Sequence, residues 1–492
     1  MSSGEFRGRK TGFLFSATLI RQISPLSPVQ MIFASAIRSM LAGDWRFREA
    51  LRLAWPASIA ASITPLLGTA DVWALGRSER PLDIAAVGLA AVIFSLAYWT
   101  FGFIRMSVAG LTAQAAGAGD EEEMRAALMR GVVIGAAIGL ALVILQRPAA
   151  SLAFPLLRIG SEASDATIAS ARVYFDIRIW GAPFALATYA ILGWLTARGR
   201  TDYLMAASLF ITLANIALDW HFVLNLGYGA KGVAAGTLIA EIAGFLVAAG
   251  FAALIMMKEG GFALPDPRRL FDPARIGATL DVNRDIFIRT FILASAYAWF
   301  VQRSGAFGDV TLAANQTLLQ LFLFTGLALD GAAIAAETLV GRAVGARNAA
   351  AYDIAFKTTM AIALAGAVLF TLLYAVLGGA AVALLTPEGA IRADALRYLP
   401  WVVISPLIVA YGFQLDGVFI GATRAREMRD AMIVTAIIFF PLSILFARTF
   451  GNHGLWAAFT VYFILRGATL AVYLPRIRRG ISNAGSDRLA EA

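Results

Sequence analysis

The chain of 492 residues contains no cysteine and only two histidines, His221 and His453. Without cysteine, neither a disulfide bond nor a thiolate metal site can form. Two isolated histidines offer no ligand cluster and cannot form the HExxH motif of zinc hydrolases. The sequence therefore predicts no bound metal centre.

Motifs for nucleotide binding and covalent catalysis are also missing. The segments GRAVGAR and GAGDEEE lack the lysine pattern of a phosphate-binding loop, and no GxSxG motif occurs. We therefore expect neither an ATP-driven motor nor an enzyme. No cofactor is expected beyond a coupling ion.

Charged residues are scarce, because they make up 15% of the chain, whereas a soluble domain carries about 25%. Hydrophobic residues make up 59%, and the mean hydropathy is +0.72. This much apolar surface indicates a membrane protein. The net charge of +9 would suit nucleic acid, but arginine and lysine concentrate in short loops between apolar runs, as a membrane protein requires. The expected partners are membrane lipid and small drug-like molecules, with no nucleic acid and no obligate protein partner.

The apolar runs have the length of about 20 residues that a helix needs to cross a bilayer. They predict an all-α, polytopic membrane protein with twelve transmembrane helices in two six-helix bundles. The approximate spans are residues 50–75, 83–110, 126–146, 166–193, 204–225, 232–257, 286–304, 311–340, 357–380, 398–421, 431–449 and 455–475.

The loops on one side carry most of the arginines, which predicts that this side is cytoplasmic. Examples are Arg198, Arg200, Arg268, Arg269 and Arg275. With an even number of spans, both termini are expected in the cytoplasm. We expect a multi-pass protein of the cell inner membrane.

An internal repeat divides the chain. The segment around Gly117 aligns without gaps with the segment around Gly345, and GWLTARGRTDYLMAA resembles IGATRAREMRDAMIV. Transporters commonly place their sites at the interface of such repeats. The predicted parts are an N-terminal bundle (48–257), a cytoplasmic linker (258–285), a C-terminal bundle (286–478) and a cytoplasmic tail (479–492).

Residues 1–47 form a basic extension whose apolar stretches are too short to span a membrane. One interpretation is an amphipathic segment at the membrane interface. The other is a mis-assigned start codon, with translation beginning at Met31 or Met40.

The first half contains carboxylates at membrane depth. Asp71 lies in an apolar span, where a lone carboxylate costs several kcal/mol unless it has a partner or a function. Asn215 and Asp219 lie four residues apart on one face of another span, and Thr237 lies in the next. Two nearby carboxylates in a low dielectric cannot both ionise easily, so one of them can hold a proton. The same oxygens could hold Na⁺. If Asp71 lies near the outer end of its span, it is instead an ordinary interfacial carboxylate.

Further acids are secondary candidates. Glu241, four residues after Thr237, either joins the first-half site or pairs with an arginine. In the second half, Asp330 and Asp416 occur in the related phrases LALDG and FQLDG, and Glu337 follows Asp330 by two turns. The alternative for these acids is a polar contact near the cytoplasmic side.

The chain resembles the multidrug and toxic compound extrusion (MATE) family, and specifically its DinF branch. The resemblance covers roughly residues 48–480. It rests on WP at 55–56, GTADVWALG, AAVGLA and TAQAAGAGD in the first half, and on NRDIFIR, LALDGAAIAAETLVGRAVGAR and LDGVFIGATRAREMR in the second. It implies two lobes around a V-shaped cavity and cation-coupled antiport of organic compounds.

The resemblance also implies roles for particular residues. Asp71 and Pro56 match an acid and a proline of the first helix, which in this branch are linked to protonation and bending of that helix. A network of later helices is matched by Asn215, Asp219, Thr237 and Tyr174. NorM-type members instead use C-half acids, to which Asp330 and Asp416 give no clean match.

The expected function is proton-coupled or sodium-coupled export of hydrophobic, often cationic, organic compounds. A flippase for lipid-linked precursors is the alternative. Such a flippase should place arginine or lysine in its cavity, and few basic residues lie in mid-span.

Overall fold

The computed structural model describes residues 45–63, 66–77, 81–159, 164–259, 263–386 and 388–491. Within these ranges the secondary structure is helical, and no strand occurs there. The predicted extension lies outside the described residues up to residue 44, and the first described helix begins at Trp45.

The two halves are built from long helices. Those of the first half are α1 (Trp45–Ile63), α2 (Leu66–Gly76), α3 (Pro81–Phe101), α4 (Phe103–Ala118), α5 (Glu121–Ile144), α6 (Gln146–Ile159), α7 (Asp165–Arg178), α8 (Ala182–Ala197), α9 (Thr201–Asp219) and α10 (Gly229–Lys258). The linker contains α11 (Pro267–Leu270). Those of the second half are α12 (Pro273–Ser304), α13 (Asp309–Gly345), α14 (Ala349–Leu385), α15 (Gly389–Gly421), α16 (Ala425–Ala471) and α17 (Leu474–Glu491).

Nine helical segments in the described part are long and apolar enough to cross a membrane, and one of them, Ala425–Ser482, contains two predicted spans. The predicted spans 50–75 and 286–304 are not among the nine. The span 50–75 is divided between α1 and α2, and residues 64–65 between them lie outside the described residues. The span 286–304 includes Arg289 and Arg303, which reduce its hydropathy. Large apolar side chains on the outer helix surfaces remain exposed, as lipid contact requires.

Two boundaries differ from the sequence-based prediction. Helix α12 begins at Pro273, inside the predicted linker, because Asp272 accepts a hydrogen bond from the Ala274 N–H at 2.9 Å and proline suits the first helical position. The predicted tail from residue 479 continues α17, whose Ile481 packs against the second half.

The backbone repeats between the halves where the sequence predicts it. Gly119 and Arg347 both adopt left-handed conformations, with φ of 71° and 53°. The next residue in each case, Asp120 or Asn348, caps the following helix by accepting a backbone N–H. Both turns follow the aligned glycines by the same number of residues, so the repeat is structural as well as sequential.

The halves pack closely at the end where α4, α8, α13 and α15 terminate, which is the arginine-rich end. A Cβ on Gly117 would overlap the backbone of Arg342, and a Cβ on Gly345 would overlap the backbone of Gln114. The Gln114 amide also donates to the Gly421 carbonyl at 3.0 Å. Small residues at the crossing allow this approach, as in other membrane helix pairs.

Candidate functional site

The first candidate site lies inside the first half, where α2 and α9 meet. Asp71 is 5% exposed, Asp219 is 1% exposed and Asn215 is fully buried. The carboxyl groups of Asp71 and Asp219 are neighbours, and Asn215 also lies beside Asp71. The structure therefore brings Asp71 together with two residues that lie more than 140 positions later in the sequence.

Thr237 joins the same cluster from α10, because the Asn215 amide donates to its hydroxyl at 3.1 Å. The neighbouring Gly236 makes room for the carboxylate, since a Cβ there would lie 2.6 Å from Asp219 Oδ1. The periodicity of α9 places Asn215 and Asp219 on one face, which is why their spacing of four predicted this arrangement.

Several oxygens in the cluster have no hydrogen-bond donor among the described residues. They are both carboxylate oxygens of Asp219, Oδ1 of Asp71 and Oδ1 of Asn215. An unsatisfied buried acceptor costs about 1–3 kcal/mol, and more if it is charged. A proton or a small cation bound at these oxygens would remove that cost.

Arg178 lies beside the cluster, and sequence reasoning missed it. It occupies the end of α7, where its Nη1 donates to the Tyr174 hydroxyl at 2.6 Å and its Nη2 lies 3.9 Å from Glu241 Oε1. The guanidinium also stacks over the Phe94 ring at 4.6 Å. Tyr174 is therefore connected to the site through Arg178. The signal in the sequence is an arginine inside an apolar span, four residues after Tyr174.

Pro56 lies inside α1, which remains helical through it. Residues 64–65, between α1 and α2, lie outside the described residues. The role of Pro56 in bending the first span remains a prediction.

The secondary candidates of the second half lie in a separate, ion-paired cluster. Asp416 on α15 contacts both Arg289 on α12 and Arg466 on α16 through one carboxylate oxygen. Asp416 therefore has two cationic partners, in contrast to Asp219.

Glu337 and Asp330 lie on α13 and face the first half. Glu337 forms an ion pair with Arg105 of α4 at 3.5 Å, and Asp330 lies within electrostatic reach of Arg105 and Arg289. This ion pair connects the two halves. Such a polar contact is the alternative that the sequence analysis gave for Glu337.

The structure corrects the expectation that few basic residues lie in mid-span. Four arginines lie inside the predicted spans: Arg105, Arg178, Arg289 and Arg466. Each lies next to at least one carboxylate, which offsets much of the cost of burying its charge. The sequence analysis counted arginine and lysine in the loops between spans, so it did not include these four residues.

The long apolar helices, with acids buried between them, define a multi-pass membrane protein. The MatE family model matches residues 56–221 and 286–449, one segment in each half. The chain is 34% identical over 424 residues to DNA damage-inducible protein F of Escherichia coli (strain K12), covering 85% of this chain and 90% of that protein. It is 26% identical to the "Probable multidrug resistance protein NorM" of Agrobacterium fabrum, covering 85% and 92%.

Solved structures agree in fold. A MATE protein in complex with MaL6 superposes with a TM-score of 0.78 at 19% sequence identity, covering 90% of this chain and 97% of that one. An outward-facing MATE transporter gives a TM-score of 0.77 at 20% identity, covering 89% and 96%. The chain belongs to the MatE family, and the predicted twelve helices are consistent with that fold. It is accordingly a MATE-type efflux transporter, similar to the DinF branch.

Proposed function

We propose that this transporter is a proton-coupled antiporter that exports hydrophobic, often cationic, organic compounds across the inner membrane, with both termini in the cytoplasm. The observation that carries the proposal is the buried pair Asp71 and Asp219. Oδ1 of Asp71 and both carboxylate oxygens of Asp219 lack a hydrogen-bond donor among the described residues. A carboxyl pair in a low dielectric holds one proton readily, because the two groups cannot both ionise easily.

Coupling requires that the proton and the substrate favour different conformations. A protonated pair is less negative and attracts a cationic substrate less strongly. Proton binding from the outside would therefore favour substrate release, and proton loss to the inside would restore affinity for the next substrate.

The nearby arginine favours a proton over sodium as the coupling ion. Arg178 lies within electrostatic reach of both Asp71 and Asp219. A sodium ion at the pair would be repelled by this fixed cation at low dielectric, whereas a proton is stored as a neutral carboxyl group. Sodium coupling is the alternative.

A flippase for lipid-linked precursors is the second candidate function. The observation that favours it is that Arg289 and Arg466 share the single carboxylate of Asp416. Two guanidinium groups facing one carboxylate suit an anionic head group better than a cationic drug. Transport of a cationic dye, with no competition from anionic lipid precursors, would contradict it.

The pair is tested in proteoliposomes with ethidium as a cationic substrate and an imposed pH gradient. Asp71→Asn and Asp219→Asn should each abolish gradient-driven efflux, because an amide fits the space but cannot titrate. The double variant should be little worse than either single variant, since residues acting as a unit are not additive. Glu388→Gln, which alters an exposed carboxylate far from the cluster, is the matched control.

One outcome would overturn the assignment. If Asp219→Asn retains full activity while Asp330→Asn or Asp416→Asn loses it, the coupling site lies in the second half. Asp219 would then be a structural polar contact.

A further inference from the structure

Glu241 is a third buried acid beside the Asp71–Asp219 pair. It lies on α10, one turn after Thr237, with its side chain 11% exposed. The Tyr98 hydroxyl donates to its Oε2 at 3.5 Å, and Arg178 lies 3.9 Å from its Oε1. Gly181 leaves the space that this carboxyl occupies, since a Cβ there would overlap Glu241 Oε2.

The cluster therefore contains three carboxyl groups and one cation. Glu241, Asp71 and Asp219 all lie within electrostatic reach of Arg178. Among the described residues, no second lysine or arginine acts on these three acids. A buried cluster is stable when its net charge is close to zero. With one fixed positive charge, neutrality requires that two of the three carboxyls are protonated.

The remaining groups that face Glu241 carry no charge when protonated. They are Tyr98 from α3, Tyr174 from α7 and Tyr189 from α8. The pair Asp71–Asp219 accounts for one of the two protons. When Arg178 balances the remaining negative charge of the pair, Glu241 must hold the other proton.

We propose that Glu241 is a second proton-binding site of the transport cycle, with Arg178 as the shared counter-ion of Glu241 and the Asp71–Asp219 pair. A proton from the outer water forms an O–H bond with the Glu241 carboxylate, and the same proton is later released to the inner water; no other bond changes. This inference rests on the proposed proton coupling and adds the number of protons moved per substrate.

The test measures the steepest ethidium gradient that a pH gradient can sustain in proteoliposomes, with the membrane potential held at zero. Two protons per substrate allow a limiting gradient of about 100-fold for a tenfold proton gradient, and one proton allows about 10-fold. We expect the wild type to follow the steeper relation and Glu241→Gln to follow the shallower one. Glu388→Gln should keep the wild-type relation.

A limiting gradient in the wild type that rises with only the first power of the proton gradient would overturn the proposal without any variant. So would a Glu241→Gln protein that keeps the second-power relation. If ethidium transport ignores the pH gradient altogether, the proposed proton coupling fails instead. If Glu241→Gln does not fold, proton uptake by purified protein on a pH jump separates the cases. Wild type should take up one proton more than the Glu241→Leu variant, which lacks the carboxyl group, and equal uptake would contradict the proposal.

Discussion

Arg178 sets the charge that the first-half cluster can hold. Its guanidinium is held by the Tyr174 hydroxyl and by the Phe94 ring, and it lies within electrostatic reach of both Glu241 and the aspartate pair. A fixed cation at this depth lets one carboxyl ionise without a mobile counter-ion. Its position explains how several acids can be buried together.

Arg178→Gln should therefore shift the profile of transport against pH. Without the cation, the carboxyl groups keep their protons to more alkaline pH, so efflux should reach its maximum at higher pH than in the wild type. Arg178→Lys retains a positive charge and should restore much of the wild-type profile, although the hydrogen bond to Tyr174 would change. The measurement is ethidium efflux at a constant pH difference over a series of absolute pH values. An unchanged profile in Arg178→Gln would mean that the arginine has only a packing role.

For individual residues, the sequence predicted which side chains lie together in the first-half cluster, but it did not predict which arginine balances their negative charge. Asp71, Asn215, Asp219 and Thr237 were identified because a polar side chain in an apolar run is conspicuous. That Glu241 pairs with Arg178 depends on the packing of α7 against α10, which no local pattern specifies.

The beginning of α5 shows how a single element is fixed to the linker. Asp120 accepts the Glu123 N–H at 3.0 Å and the Arg269 guanidinium at 2.6 Å, and Glu123 contacts both Arg130 and Arg275. The linker is thus attached to the first half, while α12 continues from it into the second half. The acidic run after Asp120 suits the start of a helix, but no local pattern specifies its arginine partners.

The pH dependence of this contact has a definite sign. Partial burial opposes ionisation of Asp120, but the Glu123 hydrogen bond and the Arg269 guanidinium hold its pKa below the usual range. A carboxyl group whose pKa is lowered on folding adds stability above its unfolded pKa, and this stability is lost as the pH falls through the folded value.

Asp120→Asn should therefore lower the melting temperature at neutral pH, and the difference from wild type should shrink in acid, below about pH 4. Thermal unfolding in lipid nanodiscs over a pH series measures this. Asp309→Asn, at an exposed helix start, is the control and should show little change at any pH. A difference that stays constant with pH would show that the carboxylate charge is not involved.

The whole molecule is organised by the meeting of its two halves. The repeat predicted two similar bundles, and the left-handed turns at Gly119 and Arg347 occupy equivalent places in each. Hydrophobic length alone predicted the spans. The close crossing of α4 and α13 was not predictable, because glycine and alanine in an apolar run fit lipid, a helix neighbour or a kink equally well.

This crossing offers a test of whether the two halves move apart during transport. A Cβ on Gly341 would lie 2.5 Å from the Ala113 Cβ, and a disulfide needs about 3.5–4.5 Å, so a separation of about 1 Å would accommodate a bond. The chain has no native cysteine, so the pair Ala113→Cys and Gly341→Cys would be the only thiols. Oxidation should join the halves and stop efflux, and reduction should restore it. Each single cysteine variant is a control, and full efflux in completely cross-linked protein would exclude separation of the halves at this crossing.

The most direct test of the central claim is efflux of ethidium from proteoliposomes under separately imposed proton and sodium gradients. Proton coupling through Asp71 and Asp219 predicts efflux driven by the pH gradient alone, lost in Asp71→Asn, with no efflux driven by sodium alone. Efflux that follows the sodium gradient and ignores the pH gradient would contradict the account.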